Sequence, residues 1–490
     1  MFATLAYFFK PTLRVIGALL VAEALAMLFP TAIAFFLNEE TLLSFAAGTG
    51  ITLAAGLILM FTMRKAKRDL EARDAFLLVT LTWLFSVLFA SLPLAFSLQN
   101  LSYPKIFFET MSCLTTTGAT VLSGLNDMPL SVNWWRCMLS WLGGMGILVL
   151  AVAILPFLGV GGAQAFRAEN TMLFKESKLT PRIADTAKAL YSLYLALSAA
   201  CVIAYYWAGM DWKDAFMFMF TTVSLGGGAP YDESIGYFNS AAVLLVSAVF
   251  MALAGFNFIL HFTAWRQKSI LVYFRDPEAA GWVFSLAAGT AIVFAILMTN
   301  GVYEHWGVAF EYAVFNVVSL FSTTGYTTVD YSLWPCGAGF FLLFGGMIST
   351  SSGSTGGGVK MSRFIIALKA AALSLTKLNR PRACLTLRFG RMEVETEMVE
   401  NIFMFFVLHT LVVITATLTL LAAGTDFITA ISSVLSCVSN IGPALGGAGP
   451  FQNYGHFSNL YLTVCSLCMF LGRLEIIAVF AIFTRSFWRI

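Results

Sequence analysis

Long apolar stretches alternate with short polar ones along the whole chain, and about ten apolar runs are long enough to cross a bilayer. Four of the polar stretches share one composition, rich in Thr, Ser and Gly: TTTGAT (115–120), SLGGGAP (224–230), STTGYTT (322–328) and SNIGPAL (439–445). Each of them follows a segment that is too short to span a hydrocarbon layer about 30 Å thick, and each precedes another apolar run. The pattern therefore predicts four repeats of span, re-entrant half-helix, glycine turn and returning span.

This pattern predicts an all-α polytopic membrane protein with ten transmembrane helices. We expect the half-helices at 104–114, 211–223, 304–321 and 425–438, and single returning spans at 134–160, 241–265 and 460–483. A polar glycine turn is costly in an apolar setting unless its backbone groups find partners. Four such turns at regular spacing therefore predict a pseudo-four-fold pore around one aqueous path. The domain scheme is an N-terminal hairpin at 1–68 and pore repeats at 69–165, 166–268, 269–380 and 381–490.

Composition and charge agree with a membrane location. Only 11% of the residues are charged and 59% are hydrophobic, whereas soluble domains carry about 25% charged residues. The basic residues concentrate in the segments 64–73, 167–182, 266–275 and 369–391, which the positive-inside rule assigns to the cytoplasm. Both termini are then cytoplasmic. Acidic residues lie mainly on the other side, where they would enrich cations at an entrance.

The glycine turns have the chemistry of an ion filter. Backbone carbonyls can replace the water around a dehydrated cation without supplying a full counter-charge that would trap it. Glycine allows positive φ angles, so that successive carbonyls can point the same way. Each half-helix would direct its partly negative C-terminal end toward the pore centre. A ring of carbonyls from four turns suits a large monovalent cation, for which potassium is the leading candidate.

A second polar feature interrupts the returning span of the third repeat. We call this Ser/Thr/Gly-rich segment, Gly345–Lys360, the intramembrane loop. Because its backbone groups need partners, the loop must line the water path or be buried in protein. A phosphate-binding loop is excluded, since no Ser or Thr follows Lys360 directly and no strand–turn–helix unit surrounds it. Arg473, within the last apolar run, is expected to face the path below the filter, contact this loop and oppose cations in a closed state. The alternative is a purely structural pair with Glu475 or Glu23.

The motifs together resemble the Trk/Ktr/HKT potassium-transporter superfamily, and most closely the membrane subunits of bacterial Trk systems. The resemblance covers nearly the whole chain and rests on the four turns and on WLGGMGILVLAVAILP (141–156), STSSGSTGGGVKMSRF (349–364) and LGRLEI (471–476). It implies filter residues at Thr116, Thr117, Gly118, Leu225, Gly226, Gly227, Thr323, Thr324, Gly325, Asn440, Ile441 and Gly442. It implies a gate at Gly353, Gly356, Gly357, Gly358, Lys360 and Arg473. The second turn has three adjacent glycines, Gly226 to Gly228, and the register there stays open.

The resemblance also implies the setting of the protein. It implies potassium as the substrate, a homodimer in the bacterial inner membrane, and a cytosolic nucleotide-binding regulatory subunit of the TrkA type. We expect no cofactor on this chain and no nucleic-acid partner. An ion-coupled secondary transporter with re-entrant loops is the alternative, although such transporters usually show two similar copies rather than four. A membrane enzyme is not expected, because no cluster of His, Asp or Ser–Lys groups is visible at membrane depth.

Overall fold

A computed structural model describes residues 2–63, 72–153, 183–335, 337–348, 350–382, 385–390, 392–485 and 487–488. The basic segments at 64–71 and 167–182 and the proposed domain boundaries at 68/69 and 165/166 lie outside these ranges. Eighteen α-helices and one two-stranded hairpin are formed by the described residues. The helices of the N-terminal helical hairpin and of the first two repeats are, in chain order, α1 (Phe2–Phe36), α2 (Leu42–Thr62), α3 (Ala72–Ser97), α4 (Tyr103–Leu114), α5 (Leu130–Ala153), α6 (Ile183–Trp207), α7 (Trp212–Val223), α8 (Ala241–Ala254) and α9 (Phe258–Gln267).

In the second half of the chain the same order of long and short helices recurs. A short helix precedes it, and the β-hairpin interrupts it. Its helices are α10 (Leu271–Arg275), α11 (Pro277–Thr299), α12 (Trp306–Phe321), α13 (Ala338–Met347), α14 (Met361–Asn379), α15 (Thr396–Ala422), α16 (Phe427–Ser439), α17 (Asn459–Arg473) and α18 (Ile476–Ile482). Strands β1 (Arg388–Phe389) and β2 (Met392–Glu393) pair antiparallel between α14 and α15.

Six helices in the described part of the chain are long and apolar enough to cross a membrane, and two bent pairs raise that number to eight. The six are α1, α2, α3, α6, α11 and α15. Their exposed surfaces carry large apolar side chains such as Leu43, Phe284 and Val407, as expected for helices in contact with lipid. The count of ten spans stays a prediction.

Four shorter helices, α4, α7, α12 and α16, are the half-helices. They contain 12 to 16 residues and follow the long helices α3, α6, α11 and α15. At 1.5 Å per residue they reach about 18–24 Å, which is less than the hydrocarbon thickness. Residues in their second halves are almost all buried, including polar ones such as Thr110, Ser319 and Ser436. These half-helices therefore end inside the protein.

Two returning spans that the sequence predicts as continuous are broken, so this part of the prediction is wrong. The helices α8 and α9 meet at 91°, and α17 and α18 meet at 104°. At the first break, Asn257 Oδ1 accepts a hydrogen bond from the backbone N–H of Ile259 and caps α9. The freed carbonyl of Gly255 accepts from Ser351 N at 3.0 Å, in the intramembrane loop. The break is thus stabilised by a contact with a distant segment.

Candidate functional site

The four half-helices end in the same backbone motif. The residue two positions before the turn glycine is left-handed in every case, with φ between 53° and 61°: Thr116, Leu225, Thr323 and Asn440. The next residue donates its N–H to the carbonyl five residues earlier at 2.8–2.9 Å: Thr117 to Ser112, Gly226 to Thr221, Thr324 to Ser319 and Ile441 to Ser436. With the accompanying bond from each left-handed residue to the carbonyl three positions earlier, these are four Schellman motifs. The half-helices therefore stop at equivalent residues.

The four turn glycines close into a ring, which we call the glycine ring: Gly118, Gly227, Gly325 and Gly442. All four have positive φ, from 60° to 102°. A Cβ atom on each would come within 3.0 Å of a backbone carbonyl oxygen in the following repeat, and the fourth would meet the first: Gly226, Thr324, Ile441 and Thr117. Real Cβ contacts are not this short, so a larger residue would displace backbone. The cyclic order brings Gly227, rather than Gly226 or Gly228, into the position equivalent to the other three.

The glycine ring borders a cavity of about 280 Å³. All four glycines line it, together with the charged side chains of Asp232 and Arg136. Asp232 also accepts a hydrogen bond from the backbone N–H of Leu125 at 3.2 Å, which fixes one carboxylate oxygen. A cavity that reaches all four repeats is the space in which an ion could meet the four turns together.

Side chains fasten neighbouring turns to one another. The hydroxyl of Tyr326 in the third repeat lies 2.6 Å from Thr221 Oγ1 and donates to the carbonyl of Phe218 in α7. Asn440 Nδ2 in the fourth repeat donates to Thr117 Oγ1 at 3.0 Å, across to the first. These buried hydrogen bonds join neighbouring repeats around the outside of the glycine ring.

A buried ion pair that the sequence did not predict lies behind the first turn. Arg136 Nε on α5 lies 2.8 Å from Glu109 Oε1 on α4, and both side chains are almost fully buried. Glu109 also accepts from Val121 N, and Arg136 donates to the carbonyl of Ala229 in the second repeat. A single base in the apolar run WWRCM and a single acid in the preceding half-helix were the available signal.

The intramembrane loop lies against the ends of the half-helices. Its backbone pairs with itself through a parallel bridge between Ile348 and Val359. Thr355 Oγ1 donates to the carbonyl of Val223 at 3.0 Å, and Gly357 N donates to Thr323 Oγ1 at 2.8 Å. A Cβ on Gly357 would meet the carbonyl of Ser439. The loop therefore touches the second, third and fourth turns on the side where the half-helices end.

Other predicted gate residues shape the loop. Gly353 and Gly358 have positive φ, 72° and 70°, and Gly356 packs against the Thr350 side chain. Lys360 folds back on the loop, with Nζ 2.6 Å from the carbonyl of Gly356. Lys360, the residue directly before α14, therefore bonds the end of the loop back to its middle.

Arg473 is buried and reaches the intramembrane loop. Its guanidinium donates to the carbonyl of Thr355 at 2.9 Å and to that of Gly143 on α5 at 3.5 Å. It does not pair with Glu475, whose carboxylate instead binds Arg363 at 2.6 Å. The predicted contact between Arg473 and the loop is present in the structure.

No group of three or more His, Cys, Asp and Glu in the described part of the chain is arranged to hold a metal ion. Cys465 and Cys468 of the CSLC sequence are buried free thiols. Outside the apolar layer, hydrogen bonds from Thr429 lower the pKa of the Asp426 carboxyl, which caps α16. The Asp426 carboxyl therefore stays ionised at the N-terminus of the fourth half-helix.

Comparisons with known proteins give one consistent family. Residues 42–489 match the family model described as TrkH, cation transport protein. The chain is 40% identical to the Trk system potassium uptake protein TrkH of Halomonas elongata, over 97% of this chain and 98% of that protein. It is 36% identical to the protein of the same name from Escherichia coli, over 98% and 99%. It is 35% identical to the Escherichia coli Trk system potassium uptake protein TrkG, over 96% and 97%.

A solved structure agrees with the fold. The crystal structure of the potassium transporter TrkH from Vibrio parahaemolyticus matches 98% of this chain and 100% of that chain, with a TM-score of 0.90 and 36% identity. The predicted fold class, an all-α polytopic membrane protein, and the predicted family are confirmed. The full-length matches and the closed arrangement of four repeats lead to one conclusion: this chain belongs to the TrkH family of cation transport proteins.

Proposed function

We propose that this chain takes up potassium through a filter of backbone carbonyls at the glycine ring. The observation that carries the proposal is the closed ring. Each of four Schellman motifs places its turn glycine against a backbone carbonyl of the next repeat. Support also comes from relatives, which are named as Trk system potassium uptake proteins. The proposed filter residues are Thr116, Thr117, Gly118, Leu225, Gly226, Gly227, Thr323, Thr324, Gly325, Asn440, Ile441 and Gly442.

The chemistry of the ring favours a weakly hydrated cation. Carbonyl oxygens replace the hydration shell, and their partial charges allow the ion to leave again. The C-terminal ends of four half-helices add negative potential at the same place. The side chain of Leu225 carries no oxygen, whereas the equivalent residues of the other repeats, Thr116, Thr323 and Asn440, each have a side-chain oxygen. The second turn can therefore offer only its carbonyls at this level, and the filter is chemically asymmetric.

The gate in this proposal is the intramembrane loop together with Arg473. Gly353, Gly356, Gly357 and Gly358 give the loop its shape, and Lys360 closes it on itself. Arg473 adds a positive charge directly beside the loop. An open state must move the loop away from Val223 and Thr323, to which it now bonds.

The setting is proposed from the same relatives. We infer that the protein works in the bacterial inner membrane, with both termini in the cytoplasm, as a homodimer. A cytosolic nucleotide-binding subunit of the TrkA type would control the gate, consistent with relatives that are named as parts of a Trk system. The nucleotide would bind that subunit, and the exposed bases Lys377, Arg380 and Arg382 at and after the end of α14 offer it an electrostatic partner.

Glycine substitutions test the filter. Alanine at Gly118, Gly227, Gly325 or Gly442 places a methyl group against a backbone carbonyl of the next repeat. We expect each variant to lower the ratio of rubidium to sodium uptake in a host that lacks its own potassium uptake. Gly301→Ala is the matched control, because Gly301 has a φ of 62° but open space around it. Its uptake ratio should stay at the level of the unmodified protein.

The amount of each variant in the membrane is measured alongside uptake. A filter role requires that well-inserted glycine-ring variants change selectivity while Gly301→Ala does not. If all four variants insert normally and none changes the rubidium-to-sodium ratio, the filter assignment is wrong.

A further inference from the structure

An ion pair joins two segments that each follow a part of the proposed gate. Arg363 lies in the first turn of α14, three residues after Lys360 ends the intramembrane loop. Glu475 lies at the break between α17 and α18, two residues after Arg473. Arg363 Nη2 is 2.6 Å from Glu475 Oε2, with the two side chains 21% and 44% exposed. The pair therefore ties α14, which follows the intramembrane loop, to the break between α17 and α18, in addition to the bond from Arg473 to Thr355.

The surroundings of this pair constrain both partners. The guanidinium of Arg363 lies 4.5 Å from the ring centre of Phe405 on α15, within the range of a cation–π contact. Glu475 has a φ of 67°, which a residue with a side chain adopts only at a cost of about 1–3 kcal/mol. Such a conformation persists when surrounding contacts hold it, and the Arg363 guanidinium is one such contact.

The pair with Arg363 also keeps the Glu475 carboxylate away from Arg473. Glu475 is the acid closest in sequence to Arg473, and a carboxylate beside Arg473 would cancel its positive charge. Because Arg363 takes that carboxylate, the hydrogen bonds of Arg473 go to the carbonyls of Thr355 and Gly143. The guanidinium of Arg473 therefore keeps a net charge next to the loop.

We propose that the Arg363–Glu475 pair is a latch that positions the intramembrane loop and Arg473 in the blocking arrangement. This inference rests on the proposed gate. Breaking the pair frees α14 from the α17–α18 break, which weakens the block. Removal of Arg363 also releases the Glu475 carboxylate toward Arg473, which weakens the block further. Arg363 and Glu475 are positioning residues in this account, because neither touches the glycine ring.

Charge substitution tests the latch. Arg363→Gln and Glu475→Gln are measured singly, and the exchange Arg363→Glu with Glu475→Arg is measured as a double variant. Rubidium uptake into proteoliposomes that contain only this chain reports the gate without a regulatory partner. A partly exposed pair predicts a rise of about two- to five-fold in uptake for each single variant. The exchange should return uptake toward the unmodified level, because the opposite charges still attract.

A base on the same helix supplies the control. Lys369 is exposed on α14, and its ammonium donates to the carbonyl of Arg388 in the β-hairpin at 3.1 Å. Lys369→Gln should leave uptake unchanged. The midpoint of thermal unfolding is measured for all variants, since a purely structural role would lower it without raising uptake.

The latch and the filter fail in different ways. If the unmodified protein does not carry rubidium, or the glycine-ring variants keep its selectivity, the proposed function is wrong. If rubidium uptake and its selectivity behave as proposed but the single charge variants leave uptake unchanged or lower it, the latch is wrong. The latch is also wrong if the exchange raises uptake as far as the single variants do.

Discussion

At the scale of single residues, Arg473 has the strongest predicted effect on flux. A buried guanidinium that bonds to carbonyl oxygens keeps its charge. At an effective dielectric constant of about 20, a unit charge about 8 Å from a passing cation repels it by about 2 kcal/mol, or roughly 30-fold in rate. Arg473→Ala should therefore raise rubidium uptake by about ten-fold or more, measured per amount of protein in the membrane.

Arg266→Gln is the control for Arg473, because it removes an exposed base near the end of α9. Its uptake should match that of the unmodified protein. Unchanged or lower uptake in a well-expressed Arg473→Ala protein contradicts the gate role.

Residues also show what the sequence could and could not predict. The positive φ of Gly118, Gly227, Gly325 and Gly442 follows from the choice of glycine. The second left-handed residue in each turn was not predicted, because Thr116, Leu225 and Thr323 are not residues that favour that conformation. Helix termination and contacts with other repeats impose it. A left-handed conformation costs these residues about 1–2 kcal/mol each, so the surrounding fold must compensate.

At the scale of elements, the Glu109–Arg136 pair fastens α4 to α5 behind the first turn. Removing one partner of a buried pair leaves an uncompensated charge and costs about 3–5 kcal/mol. Glu109→Gln should therefore lower the midpoint of thermal unfolding in detergent markedly. Glu304→Gln removes an exposed acid between α11 and α12 and should have little effect. Equal midpoints for the two variants would show that the buried pair does not stabilise the first repeat.

The lengths of helices were easier to predict than their breaks. The short apolar runs locate the four half-helices within two residues at each end. The bends near Gly255 and Glu475 were missed because an apolar run resumes after each of them, although Asn257 marks the first and Arg473 and Glu475 mark the second. Contacts with the intramembrane loop and with Arg363 stabilise these bends, and they come from segments more than 90 residues away.

At the scale of the whole molecule, one chain closes a ring from four repeats of unlike sequence. The regular spacing of the glycines predicts that the turns meet, but it does not fix the register of the second turn. Spatial neighbours fix that register, because a Cβ on Gly118 would meet the carbonyl of Gly226 and one on Gly227 would meet that of Thr324. The backbone path alone does not identify the ion that the proposed filter binds, because that depends on the coordinating oxygens.

In the proposed function the carbonyls of the four turns bind the transported ion. Anomalous diffraction from crystals grown in rubidium can locate that ion. We expect an anomalous peak on the axis of the glycine ring, enclosed by the turns that contain Thr117, Gly226, Thr324 and Ile441. If the ring axis has no peak while rubidium is bound elsewhere in the membrane region of protein that transports it, the turns do not form the filter.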